Sequence, residues 1–256
     1  LLLYRKMKIK KFLKTCFIIL FWAAVWQLTA VLVASQILLP TPISVLRALL
    51  SLASEKEFYI SVAFTVLRIS AGYVSGLLLG LLLGGLTFYS RLLNALLAPI
   101  AGIIKSTPVA SFIVLLFVWF SNGTVAAITS MLIVLPIIWS STFTAFSSAD
   151  KELLEMAQLF KVSPVKKLFG IYIPSAFSTV RASAATALGL AWKAGVAAEV
   201  ICSPKNSIGG GIYSAKVYLE TPELFAWTAV VIIVSVLIEK LLLKLIKDKR
   251  GAKDEA

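Results

Sequence analysis

Residues 155–174 read "EMAQLFKVSPVKKLFGIYIP", a polar, helix-like stretch set inside an oily chain. Glu155, Lys161, Lys166 and Lys167 break the surface here, whereas the sequence on both sides is apolar. Just upstream, Asp150 is placed to cap a helix, and Glu152 falls in its first turn, where the helix dipole favours an acid. Leu153, Ala157 and Phe160 recur at i, i+4 and i+7 and form one apolar stripe. Pro164 ends that helix, with Ser163 as the N-cap of a second short helix through Lys166 and Phe169. Pro174 suits the start of the next long apolar run. The pattern predicts two short helices at an angle, a compact knob between two hydrophobic segments. On pattern alone, an amphipathic helix lying on lipid competes with that reading.

The surroundings of the knob define the class. Of 256 residues, 59% are apolar and only 14% charged, with a mean hydropathy of +0.94. Soluble domains carry about 25% charged residues, so this is an all-α membrane protein. Six stretches approach the ~20 apolar residues that a spanning helix needs: 15–35, 62–87, 92–119, 123–147, 174–201 and 223–246. The third is interrupted by Lys105 and Pro108, which marks it as a candidate broken or re-entrant segment. The basic start "LLLYRKMKIKKFLK" imitates a signal peptide, but five later spans make the first helix a retained anchor. Met7 precedes the basic cluster and is the expected natural start. The expected organisation is a basic arm (1–14), a membrane domain (15–246) and a short tail (247–256).

Lysines and arginines set the expected orientation. The N-terminal arm, the 88–91 turn, the 148–170 loop and the segment from Lys240 onward hold 17 of them, against four in the 36–61, 120–122 and 202–222 loops. Both termini and the knob are therefore expected in the cytoplasm. The net charge of +13 is mostly this topology signal, helped by attraction to anionic membrane lipid. Nucleic acid is not an expected partner, because the charges flank helices rather than forming one face.

Several chemistries are excluded. The chain has no histidine, which rules out His-based metal sites and His-dependent nucleophiles. Its two cysteines, Cys16 and Cys202, fall near opposite membrane faces on this topology, so no internal disulfide is expected. "SIGGGIY" (207–213) is glycine-rich but lacks the lysine of a phosphate-binding loop. The chain has no evident means of hydrolysing ATP and is not expected to be an enzyme.

The knob resembles the EAA loop of ABC importer permeases. That pattern is Glu-Ala-Ala, three residues, Gly, nine residues, then Ile-x-Leu-Pro. Glu155, Ala157, Ile171 and Pro174 match it at every spacing, with Ile173 for Leu, Met156 for the middle alanine and Lys161 for the glycine. "ILLPTPISVLRAL" (37–49), "TVLRISAGYVSGLLLGLLLG" (65–84), "IKSTPVASFIVLLFVWFS" (104–121) and "GLAWKAGVAAEVI" (189–201) extend the resemblance to the nitrate/sulfonate/taurine branch. The resemblance implies a six-span type I importer (MetI-like) permease fold, in a dimer usually of identical chains. It implies two cytoplasmic ATPase subunits carrying ATP and Mg, an extracytoplasmic solute-binding protein, and a bacterial cytoplasmic membrane. No cofactor is expected on this chain. The EAA loop would be the coupling helix: Glu155 as the charged docking contact, Ala157 allowing close approach, Leu153 and Phe160 as apolar anchors, with Gln158, Lys161 and Ser163 beside them.

Charges within spans are costly and mark a cavity or a partner. Arg68, Lys105, Arg181, Lys193 and Glu199 qualify as residues of a translocation path, with Lys105 and Lys193 the preferred pair. Lys193 and Glu199 are six apart and do not share a helix face. Four cations against one anion favour an anionic solute. Arg68 and Arg181 also have a snorkelling reading. "RASAATALG" (181–189) permits close helix packing, and Gly72, Gly76, Gly80 and Gly84 form a four-residue seam within or between protomers. In the outer 202–227 segment, Gly209–Gly211 are expected to supply flexible backbone, with Lys205, Lys216, Glu220 and Glu223 available to a docking protein. The competing class is a secondary transporter or channel without an ATPase, which the lack of an inverted repeat disfavours.

Overall fold

The structure is a computed structural model that describes the backbone of residues 2–251 and the side chains of residues 14 and 16–241. The side chains of the basic arm before Lys14, and residues 252–256 of the tail, lie outside the described residues. Among the described residues there are eleven α-helices: α1 (Leu2–Val33), α2 (Pro42–Ala53), α3 (Lys56–Tyr89), α4 (Arg91–Ser106), α5 (Val109–Trp119), α6 (Asn122–Ser147), α7 (Lys151–Leu159), α8 (Pro164–Lys167), α9 (Ile173–Cys202), α10 (Ile208–Val217) and α11 (Thr221–Gly251). Segments of α1, α3, α6, α9 and α11 are long and apolar enough to cross a membrane. The pair α4 and α5 makes a sixth span if counted as one, but it bends by 106° at Thr107–Pro108. The expected break is there.

The core is a slab of α3, α6 and α9. Gly72, Gly76, Gly80 and Gly84 are all buried on the face of α3 that meets α6. A Cβ at Gly76, Gly80 or Gly84 would lie 2.7, 2.9 or 2.8 Å from the carbonyl oxygens of Met131, Leu135 and Trp139, and one at Gly72 would overlap the Ala127 carbonyl. The glycine period is thus matched by a four-residue period of carbonyls on the neighbour, and the seam lies within the protomer. On the other side of α6, the small residues Ala184, Ala187, Ala191, Ala194 and Ala198 of α9 are buried, and Ser130 donates to the Ala191 carbonyl at 3.1 Å. Tyr73 reaches across from α3 to the Ala184 carbonyl at 3.0 Å.

Two expected loops contain helices. The 36–61 segment holds α2, capped by Thr41, which accepts from the Ser44 amide at 3.2 Å. The 202–227 segment holds α10, capped by Ser207, which accepts from the Gly210 amide at 2.8 Å. Gly209–Gly211 are therefore not a flexible backbone. They are the first turn of α10, where a Cβ at Gly209 would collide with Glu199 and one at Gly211 would lie 2.5 Å from the Trp227 ring. The helix α3 begins at Lys56, six residues before the apolar run. The helix α11 continues through residues 247–251 of the expected tail, whose lysines and arginine are good helix formers.

Candidate functional site

The knob is built as its caps demand. Asp150 accepts from the Glu152 amide at 2.9 Å to start α7. At its end, Lys161 takes a left-handed backbone (φ 52); its amide bonds to the Gln158 carbonyl and the Val162 amide to the Ala157 carbonyl, at 3.0 and 2.9 Å. This paired closure is the one that favours glycine, which explains why the family pattern has Gly where this chain has Lys161. Ser163 then caps α8, accepting from the Lys166 amide. Leu153, Glu155, Gln158, Phe160, Lys161 and Ser163 all stand exposed on this unit. Ala157 does not: it is 3% exposed, so the close approach it permits is that of α7 to its own chain. The outward apolar surface instead includes Met156 and Leu159, the latter 82% exposed. Only the seating of α7 on the protein reveals them.

From the knob the chain enters α9 through a π-helical turn, Leu168–Tyr172. Pro174 has no amide to donate, and the Ser175 hydroxyl bonds the Ile171 and Tyr172 carbonyls at 2.8 and 3.0 Å. The Tyr172 ring packs on Phe88 and Phe146, at centroid distances of 5.2 and 5.5 Å.

The five intramembrane charges go to three places. Lys105 and Lys193 come together on a cavity of about 440 Å³ beside the break between α4 and α5, with apolar walls that include Leu132, Ile133, Pro136 and Leu190. Arg68 and Glu199 do not line it. They pair at 3.3 Å, where α3 meets the end of α9 opposite the knob. Glu199, fully buried, also accepts from Thr65 Oγ1 at 2.7 Å and from the Gly209 amide at 3.3 Å. Arg68 further donates to the carbonyls of Asn206 and Lys205 at 3.1 and 3.2 Å. This cluster fastens α10 and the turn before it to α3 and α9, so Arg68 is engaged with Glu199 and two carbonyls rather than extended outward alone. Arg181 lines a separate apolar cleft between α3 and α9, so it too leaves the Lys105–Lys193 cavity. Lys193 and Glu199 do not pair.

A broken span beside a two-lysine cavity, on a slab ending in an exposed two-helix knob, is the frame of a multi-span membrane protein. The chain belongs to the family described as binding-protein-dependent transport system inner membrane component, whose model matches residues 76–248. It is a permease subunit of an ABC importer, a multi-pass protein of the bacterial cytoplasmic membrane; the secondary-transporter alternative gains no support. Family membership implies an ATPase and a binding protein as partners in general. Among its relatives are the taurine transport system permease protein TauC of Escherichia coli K12, 26% identical over 84% of this chain and 80% of that protein. Another is the nitrate import permease protein NrtB of Synechococcus elongatus, 25% identical over 81% and 78%. In fold, the chain matches the crystal structure of an amino acid ABC transporter with histidines: TM-score 0.57 and 13% identity, over 72% of this chain and 87% of that one.

Proposed function

We propose that two copies of this permease form the path for a small solute carrying an anionic group, such as a sulfonate, taurine or nitrate. The knob of each copy faces the cytoplasm and seats on one of two ATPase subunits, which carry the ATP and Mg; an extracytoplasmic binding protein delivers the solute. Closure of the motors biases two packings of the spans, opening the path to one side and then the other. Leu153, Met156, Leu159 and Phe160 supply the apolar anchors and Glu155, Gln158, Lys161 and Ser163 the polar contacts, docking energy being concentrated in a few such residues.

The observation that carries the anion assignment is the convergence of Lys105 and Lys193 on one cavity. Among the described residues neither has a carboxylate within ion-pair distance, and both are exposed side chains on the rim of a cavity whose other walls are largely apolar. Val109, at the N-terminus of α5, lines the same cavity. The first amides of a half-helix add positive character there, as in other transporters with discontinuous helices. The relatives named for taurine and nitrate handle solutes with anionic groups, in keeping with this chemistry. The test is uptake of radiolabelled taurine, an alkanesulfonate and nitrate by cells carrying Lys105→Gln or Lys193→Gln. A charge-assisted contact of about 1.5–3 kcal/mol predicts a loss of tenfold or more in each variant for the solute the wild type imports. Wild-type uptake in both would remove the lysines from the path.

A further inference from the structure

A docked motor is useful only if movement of the knob reaches the spans, and the structure holds a weak point on that route. Between the knob and α9 lies the π-helical turn Leu168–Tyr172, a wide and less favourable winding where a helix can give. Gly170, in the turn, has no neighbour within 4 Å of where a Cβ would stand, so packing at that position does not clamp it. Left free, the turn would absorb a push.

Tyr172 closes this gap. Its ring sits 5.2 Å from Phe88 and 6.2 Å from Tyr89, the last two residues of α3, and 5.5 Å from Phe146 near the end of α6. Phe88 and Phe146 stack edge to face on each other at 5.5 Å, and Phe143 joins Phe88 at 6.4 Å. The two helix ends that receive Tyr172 are not independent, because the glycine seam locks α3 to α6 along its length. Ala145 and Phe146 of α6 and Ala176 of α9 are buried together at the joint, so the first turn of α9 is seated on α6 directly after the π-turn. Phe169, the other aromatic of the turn, is 65% exposed and takes no part in the ring cluster.

We propose that Tyr172 is a positioning residue for transport: its ring pins the π-turn against the feet of α3 and α6, so displacement of the knob is delivered to α9. This rests on the reading of the knob as the motor contact and of the permease as a homodimer. The experiment uses the permease–ATPase complex with Cys16 and Cys202 changed to serine and a spin label on Lys205→Cys of each copy. The inter-label distance distribution is measured with and without ATP plus vanadate, alongside ATPase retention and hydrolysis. In Tyr172→Ala, ATPase retention and hydrolysis persist, while the ratio of ATP-shifted to unshifted molecules falls about tenfold, the weight of one or two aromatic pairs. Tyr172→Phe keeps the ring and keeps the shift. Phe88→Leu, which removes the opposing ring, reproduces the alanine phenotype and serves if Tyr172→Ala does not fold. A full ATP-driven shift in both Tyr172→Ala and Phe88→Leu overturns the proposal, as does loss of the ATPase from a folded Tyr172→Ala. Failure of wild type to retain any ATPase would strike the motor-contact reading itself, a separate result.

Discussion

Replacing Glu199 by alanine tests whether the polar cluster opposite the knob fastens the structure there. The carboxylate is fully buried and accepts three donors: Thr65 Oγ1 at 2.7 Å, Arg68 Nη1 at 3.3 Å and the Gly209 amide at 3.3 Å. Alanine leaves the buried Gly209 amide without an acceptor and removes the carboxylate that Arg68 pairs with. Breaking a buried ion pair costs about 3–5 kcal/mol. The lower end applies, because the Arg68 side chain is 18% exposed and keeps the Lys205 and Asn206 carbonyls. Glutamine retains an acceptor for Thr65 and Gly209, so its cost is about 1–2 kcal/mol. The reporter is three residues away: Cys202 is 3% exposed, and its carbonyl accepts from Asn122 Nδ2 at 2.9 Å. In a Cys16→Ser background, alkylation of Cys202 reads local opening of the end of α9. A loss of about 3 kcal/mol predicts alkylation about a hundredfold faster in Glu199→Ala, with Glu199→Gln in between. Alkylation of Glu199→Ala at the wild-type rate would refute the account of this cluster.

The glycine seam predicts opposite outcomes for neighbouring positions. Gly76→Ala, which drives a Cβ to 2.7 Å from the Met131 carbonyl, costs about 1–3 kcal/mol by overpacking, whereas Gly85→Ala, whose nearest contact is 3.8 Å away, is neutral or stabilising by a few tenths to about 1 kcal/mol; thermal unfolding in detergent separates the two. Lys161→Gly preserves the knob, because the position is left-handed, while the β-branched Lys161→Val costs about 1–2 kcal/mol and speeds limited proteolysis between α7 and α8. Ser163→Ala removes the cap of α8 and costs about 1 kcal/mol, seen in the same proteolysis assay.

What the sequence disclosed follows from how far apart the responsible residues lie. The caps Asp150 and Ser163 and the breaking prolines are local signals, and α7 and α8 formed where those signals placed them. The period of Gly72 to Gly84 announced a close seam, yet whether it lay within or between protomers depended on α6, whose carbonyls carry no sequence mark. Lys105 and Lys193 were legible as costly charges, and the kink at Pro108 brought them to one cavity. The pairing of Arg68 with Glu199 spans 131 residues and needs α3, α9 and α10 in place before it exists. Ala157 shared a stripe with Leu153 and Phe160, but a helix pattern does not say which side rests on the protein. Tyr172 gave no signal, because its role arises only where the ends of α3 and α6 converge.

The central claim is that the knob is the seat of the ATPase, and detergent co-purification of this permease with the ABC ATPase of the cells that carry it tests the claim most directly. The informative variant is Glu155→Arg with Phe160→Asp, since both side chains are exposed; substitution of the buried Ala157 would report on folding instead. The account predicts that wild type retains the ATPase and that the double variant, still folded and dimeric by size-exclusion light scattering, loses it. Equal retention by a folded variant would contradict the claim and return residues 151–167 to the role of a helix pair lying on lipid.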